Sequence, residues 1–150
     1  MSGRVRSALL GAGLLLLAGA AEPAGEYQTG GRWRVTVTPV QMPAAAGEQK
    51  GTDKTTCRAT LTSQSYPKVG REKELAPGVI CKIVSITPLG QPYERVDECR
   101  RAGQSKAMIV RYSGSYTPKR YSLTITTEMP SRPDLTVVVR EDGEWLGPCE

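Results

Sequence analysis

Arg111, Tyr112, Tyr116, Lys119, Arg120 and Tyr121 interleave cations with aromatic rings around one predicted turn. Such a set can grip an anionic glycan, a lipid headgroup or single-stranded nucleic acid by charge plus stacking. The plainer reading is a hairpin tip with its tyrosines lying over a sheet. Two other groups suggest chemistry and fail on local structure. Ser65, Tyr66, Pro67 and Lys68 spell S-x-x-K, but Pro67 opposes the helix that would bring the lysine beside the serine, and the companion S-D-N and K-T-G motifs are missing. Glu94, Asp97 and Glu98 could act as paired carboxylates on a sugar. On a strand, however, Glu94 and Glu98 point to one face and Asp97 to the other, which reads as a solvated, salt-bridged surface.

The chain has no histidine. Nucleophilic arrangements that rely on an imidazole base are therefore excluded, as are metal sites with imidazole ligands. Neither G-x-x-x-x-G-K-[ST] nor G-x-G-x-x-G occurs, so those phosphate-cradling loops are absent. No catalytic, cofactor-binding or metal-binding residue is assigned, and the expectation is a protein that is not an enzyme and carries no cofactor.

Cysteine spacing indicates redox context. Cys57, Cys81, Cys99 and Cys149 are separated by 24, 18 and 50 positions. Zinc sites normally use closely spaced pairs, so an even cysteine count here predicts two disulfides in an exported protein. Export is also written at the start of the chain. Arg4 and Arg6 precede an uncharged apolar run from Ala8 to Ala21, and Ala18 and Ala20 form an A-x-A cleavage pattern. The run is short for a membrane span, which needs about 20 apolar residues. Residues 1–20 thus read as a cleaved signal peptide and 21–150 as one disulfide-stabilised β domain, periplasmic or secreted, with no membrane span after cleavage. With Cys57 the first cysteine, a lipoprotein anchor is not expected. Cleavage removes Arg4 and Arg6 from 20 basic residues, leaving 18 against 15 acidic ones, a net charge of +3. So mild an excess disfavours nucleic acid as a partner.

The elements that must position these residues are strands. Trp33, Val35 and Val37 alternate with Arg34, Thr36 and Thr38, and Tyr121, Leu123 and Ile125 alternate with Ser122, Thr124 and Thr126. Further strands are predicted over Thr55–Thr62, Val79–Thr87, Tyr93–Arg100, Ala107–Tyr112 and Leu135–Arg140. Turns are expected at Ser113–Ser115 and Asp142–Gly143, a helical turn within Gly70–Ala76, and a flexible loop over Pro39–Lys54. A hairpin centred on Gly90 places Cys81 opposite Cys99, Lys82 opposite Glu98 and Val84 opposite Val96. Cross-strand neighbours are close enough to be bridged, so Cys81–Cys99 is the favoured disulfide and Cys57–Cys149 the remaining pair. Three connectivities stay open from sequence alone, and Ile83 opposite Asp97 counts against this register. Seven to eight short strands imply an all-β, mainly antiparallel sheet, curled into a barrel-like or sandwich form. Its core lacks Phe altogether and is built from Val, Ile, Leu, Tyr and two Trp.

Gly31, Trp33 and Val35 form a G-x-W-x-V start leading to Met42 and Pro43, Cys57, Cys81 and Cys99 follow, and the chain ends on Leu146, Gly147, Pro148 and Cys149. In this order the motifs resemble domain of unknown function 3617, a family of small bacterial exported proteins. Ala44–Ala46 stands where that family often has a Met-rich loop. The resemblance implies a periplasmic β-rich protein with no assigned activity. Three functions remain: a non-enzymatic protein binding an envelope component or partner, a carrier holding an apolar ligand in its curled sheet, and a hydrolase using carboxylates alone.

Overall fold

Period-two alternation builds one sheet in a computed structural model that describes residues 27–150. Its strands are β1 (Gly31–Gln41), β2 (Thr52–Arg58), β3 (Glu72–Ala76), β4 (Val79–Ile86), β5 (Tyr93–Arg101), β6 (Met108–Thr117), β7 (Arg120–Glu128) and β8 (Val137–Gly147). All neighbours are antiparallel, in the order β2-β1-β8-β7-β6-β5-β4-β3. The sheet curls into a half-barrel whose edges, β2 and β3, do not meet. No α-helix occurs among the described residues, and no helix there is long and apolar enough to cross a membrane. The signal segment, residues 1–20, lies outside the described residues.

The concave face carries the core. Trp33 and Val35 of β1 are wholly buried beside Tyr121 of β7, and a second cluster joins Cys81, Cys99 and Val110. Trp33 Nε1 donates to the Thr29 carbonyl at 3.0 Å, and Trp145 Nε1 to the Gly30 carbonyl at 3.1 Å, so the buried Trp33 and the half-buried Trp145 both have the polar atom satisfied. Gly31 has φ +141°, and a Cβ there would come within 2.4 Å of the Gly147 carbonyl oxygen. Gly31, Trp33, Trp145 and Gly147 thus close β1 against β8.

Both disulfides form as expected, and no cysteine is free. Cys81–Cys99 joins directly opposed residues of β4 and β5 inside the core. Cys57–Cys149 ties edge strand β2 to the tail after β8, across the intervening β1. Two disulfides suit an oxidising, extracytoplasmic compartment.

Several local expectations are corrected, among them the loop over Pro39–Lys54, whose ends belong to β1 and β2. A single curled sheet replaces the sandwich alternative. Glu72–Ala76 is strand, not a helical turn; its wholly exposed, charge-rich sequence makes it a guarded sheet edge. Ser113–Ser115 and Asp142–Gly143 continue their strands instead of turning, and the β6–β7 reversal comes later, at Pro118 and Lys119. These glycines make room rather than turns: a Cβ on Gly114 would strike the Ser122 carbonyl oxygen, and one on Gly143 would strike the Tyr121 ring. The β4–β5 register holds at Cys81–Cys99, Lys82–Glu98 and Ile83–Asp97, but a bulge at Val84 sets Ser85 opposite Val96 and leaves Val84 exposed. Finally, Asp97 does not lie on a solvated face; it is 2% exposed.

Candidate functional site

Strand parity sends Tyr93, Arg95, Asp97 and Cys99 of β5 to one side of the sheet, and the register carries that side across to Tyr112 and Tyr116 on β6, Tyr121 and Leu123 on β7, and Glu141 on β8. This is the concave side. Five of the six tyrosines reach it, Tyr66 coming from the segment that links β2 to β3. That segment is pinned at Leu61, which exchanges backbone hydrogen bonds with Gln28, and at Gly70, whose amide donates to the Ile83 carbonyl. Between these anchors the Tyr66 hydroxyl donates to the Thr87 carbonyl at 2.9 Å, so the link straps the open side of the half-barrel. Ser65 spends its hydroxyl on the local turn, accepting from the Thr62 amide at 2.8 Å, in keeping with a chance S-x-x-K.

Two guanidinium–carboxylate pairs sit among the rings. Arg95 grips Asp97 through both carboxylate oxygens and lies 5.1 Å from the Tyr112 ring centre. A charge as buried as Asp97 requires such a partner. Arg58, at the end of β2, lies 5.0 Å from the Tyr121 ring centre and 3.5 Å from Glu141 Oε1, the same oxygen that accepts the Tyr121 hydroxyl at 2.7 Å. Tyr93 and Tyr116 meet edge to face with ring centres 5.6 Å apart. Burial raises the pKa of Tyr93, Tyr112, Tyr116 and Tyr121 above the usual phenol value. All four hydroxyls are therefore protonated at neutral pH, able both to donate and to accept.

Between these side chains and the strap is a hollow of about 140 Å³, with Leu61, Pro67 and Leu123 as apolar wall and Arg58, Tyr66, Tyr93 and Tyr116 as ring and donor groups. A broader depression of about 450 Å³ is lined largely by outward residues, among them Arg34, Ser122 and Glu144. There the Glu144 carboxylate already bridges Arg34 at 3.5 Å and Arg120 at 3.3 Å, all three well exposed. No family model, curated protein or solved structure matches this chain. What the molecule offers a ligand must therefore be read from its own surface.

The six residues singled out from sequence do not form one patch. Tyr112, Tyr116 and Tyr121 turn inward, while Arg111 and Arg120 turn outward to pair with Glu128 and Glu144. Lys119 sits at the hairpin end, its Nζ 4.6 Å from the Trp145 ring centre. The cations that do meet the tyrosines are Arg58 and Arg95, which sequence reasoning passed over. A signal for Arg95 was present: it shares strand parity with Cys99, and a core disulfide marks the inward face. Arg58 had none so direct, because its neighbour Cys57 faces the other way.

No cluster of three or more metal-ligating side chains exists among the described residues. The two inward carboxylates, Asp97 and Glu141, each face a guanidinium, Arg95 and Arg58 respectively.

Proposed function

We propose that the protein is a non-catalytic, exported binding domain of the cell envelope, and that its concave face is the binding surface. The observation that carries this reading is the gathering of five tyrosines and two arginines on one side of the sheet. Aromatic rings with a few convergent donors are what small-molecule and glycan recognition use. Export by the signal peptide at residues 1–20, a periplasmic address and membership of the domain of unknown function 3617 family belong to the same reading. They rest on the N-terminal apolar run, the disulfides and the order of the motifs.

Among envelope components a glycan fits better than a lipid headgroup. The hollow is recessed beneath the strap, whereas a headgroup tethered to a bilayer asks for a protruding contact. An apolar-ligand carrier would need more room than about 140 Å³, because pockets for drug-sized ligands run to roughly 300 Å³ or more. Co-sedimentation of the purified protein with isolated envelope glycan and with lipid vesicles tests the proposal. Retention on the glycan is expected, lost in Tyr116→Ala and kept in the outward double variant Arg111→Gln/Arg120→Gln. Loss in the outward variant alone would move the site to the other face.

A further inference from the structure

Arg95 and Arg58 stand in similar places with different amounts of bonding capacity left. Arg95 is committed to both oxygens of Asp97. Arg58 makes a single ion pair, at 3.5 Å, to a Glu141 oxygen already occupied by the Tyr121 hydroxyl at 2.7 Å. A guanidinium carries five N–H donors, so most of those on Arg58 remain unspent. Its guanidinium carbon lies 5.0 Å from the Tyr121 ring centre, and its side chain keeps 30% exposure, within reach of a ligand entering the hollow it lines. Carboxylates match that fork geometry.

We propose that the hollow takes a single acidic sugar unit, with its carboxylate on Arg58 and one C–H face of its ring against Tyr93 and Tyr116. This rests on the reading of the concave face as the binding surface. About 140 Å³ suits one ring-sized group and is small for a long acyl chain. The apolar wall of Leu61, Pro67 and Leu123 takes the other C–H face of the pyranose. A neutral sugar would offer the Arg58 fork only uncharged hydroxyl acceptors, without the bidentate match of a carboxylate, and a bare carboxylate would leave the rings uncovered.

The test is titration of the full-length protein with D-glucuronate, D-glucose and acetate, followed by NMR. Glucuronate is expected to bind saturably and at least tenfold more tightly than either glucose or acetate. Arg58→Gln should weaken glucuronate at least tenfold, and Arg111→Gln should leave it unchanged. The ligand comparison on the unaltered protein decides the matter even if Arg58→Gln folds poorly. Equal affinity for glucose and glucuronate, or no binding of glucuronate, overturns the proposal. If glucuronate fails while Tyr116→Ala still releases the protein from envelope glycan, the acidic-sugar assignment alone is wrong. If Tyr116→Ala changes nothing either, the concave site falls with it.

Discussion

Two strands carry the same device on opposite faces of the sheet. On β5, Arg95 reaches two residues along to Asp97; on β8, Arg140 reaches two residues along to Asp142 at 2.9 Å. The spacing and the residue types are identical. The first pair lies on the concave face, its side chains 21% and 2% exposed, and the second on the convex face at 57% and 38%. The concave pair is covered by Tyr112 and by the core around Cys81–Cys99, so water cannot take the place of Arg95 at the buried Asp97. On the convex side water can. The sheet gathers its rings and its buried charges on the concave face, which also carries the core, and leaves the convex face to solvent.

Breaking the concave pair should give the largest effect. Arg95→Ala leaves Asp97 buried without its cation and should cost about 3–5 kcal/mol in denaturant unfolding, since stranding one partner of a buried pair is far worse than lacking both. Arg95→Met combined with Asp97→Leu should recover most of that loss, and a double variant as unstable as the single one would show that the ion pair is not what the site needs. Next comes Gly143→Ala. Its Cβ would collide with the Tyr121 ring, displacing the side chain that joins Trp33, Arg58 and Glu141, at about 1–3 kcal/mol in thermal unfolding.

Alkaline pH sharpens the contrast without a mutation. Burial raises the phenols of Tyr93, Tyr112, Tyr116 and Tyr121 above their unfolded value of about 10, so the folded state holds these protons more tightly. Their contribution to stability is present in full below pH 10 and is lost as pH climbs from there toward the folded values. The melting temperature should decline above pH 10, with a smaller decline in Tyr121→Phe; identical alkaline profiles would contradict the burial of that phenol. The smallest effect is expected on the convex face. Arg140→Ala should change stability by less than about 1 kcal/mol, and added salt should reduce the difference further.

Much of the fold could be read before the structure because alternation and cysteine parity are local signals. Trp33 and Val35 announce a buried strand face, and the equal offsets of Cys81 and Cys99 from Gly90 announce a hairpin. What misled was glycine. Gly114 and Gly143 look like turn residues in sequence, yet each is required by a neighbour on another strand, a contact that no local pattern encodes. The site was half visible for the same reason. Tyr112, Tyr116 and Tyr121 were identified from their clustering, but proximity in sequence also swept in Arg111 and Arg120, which strand parity sends to the other face. Arg58 joins the tyrosines only through the β2-β1-β8-β7 order, a long-range fact set by how the N-terminal hairpin docks on β8.

Whether the concave face binds is decided by mapping backbone amide shifts of the protein during titration with soluble fragments of envelope glycan. The perturbed amides are expected around Arg58, Leu61, Tyr93, Tyr116 and Leu123. Perturbations confined to Arg34, Arg111, Arg120 and Glu144 would contradict binding at the concave face.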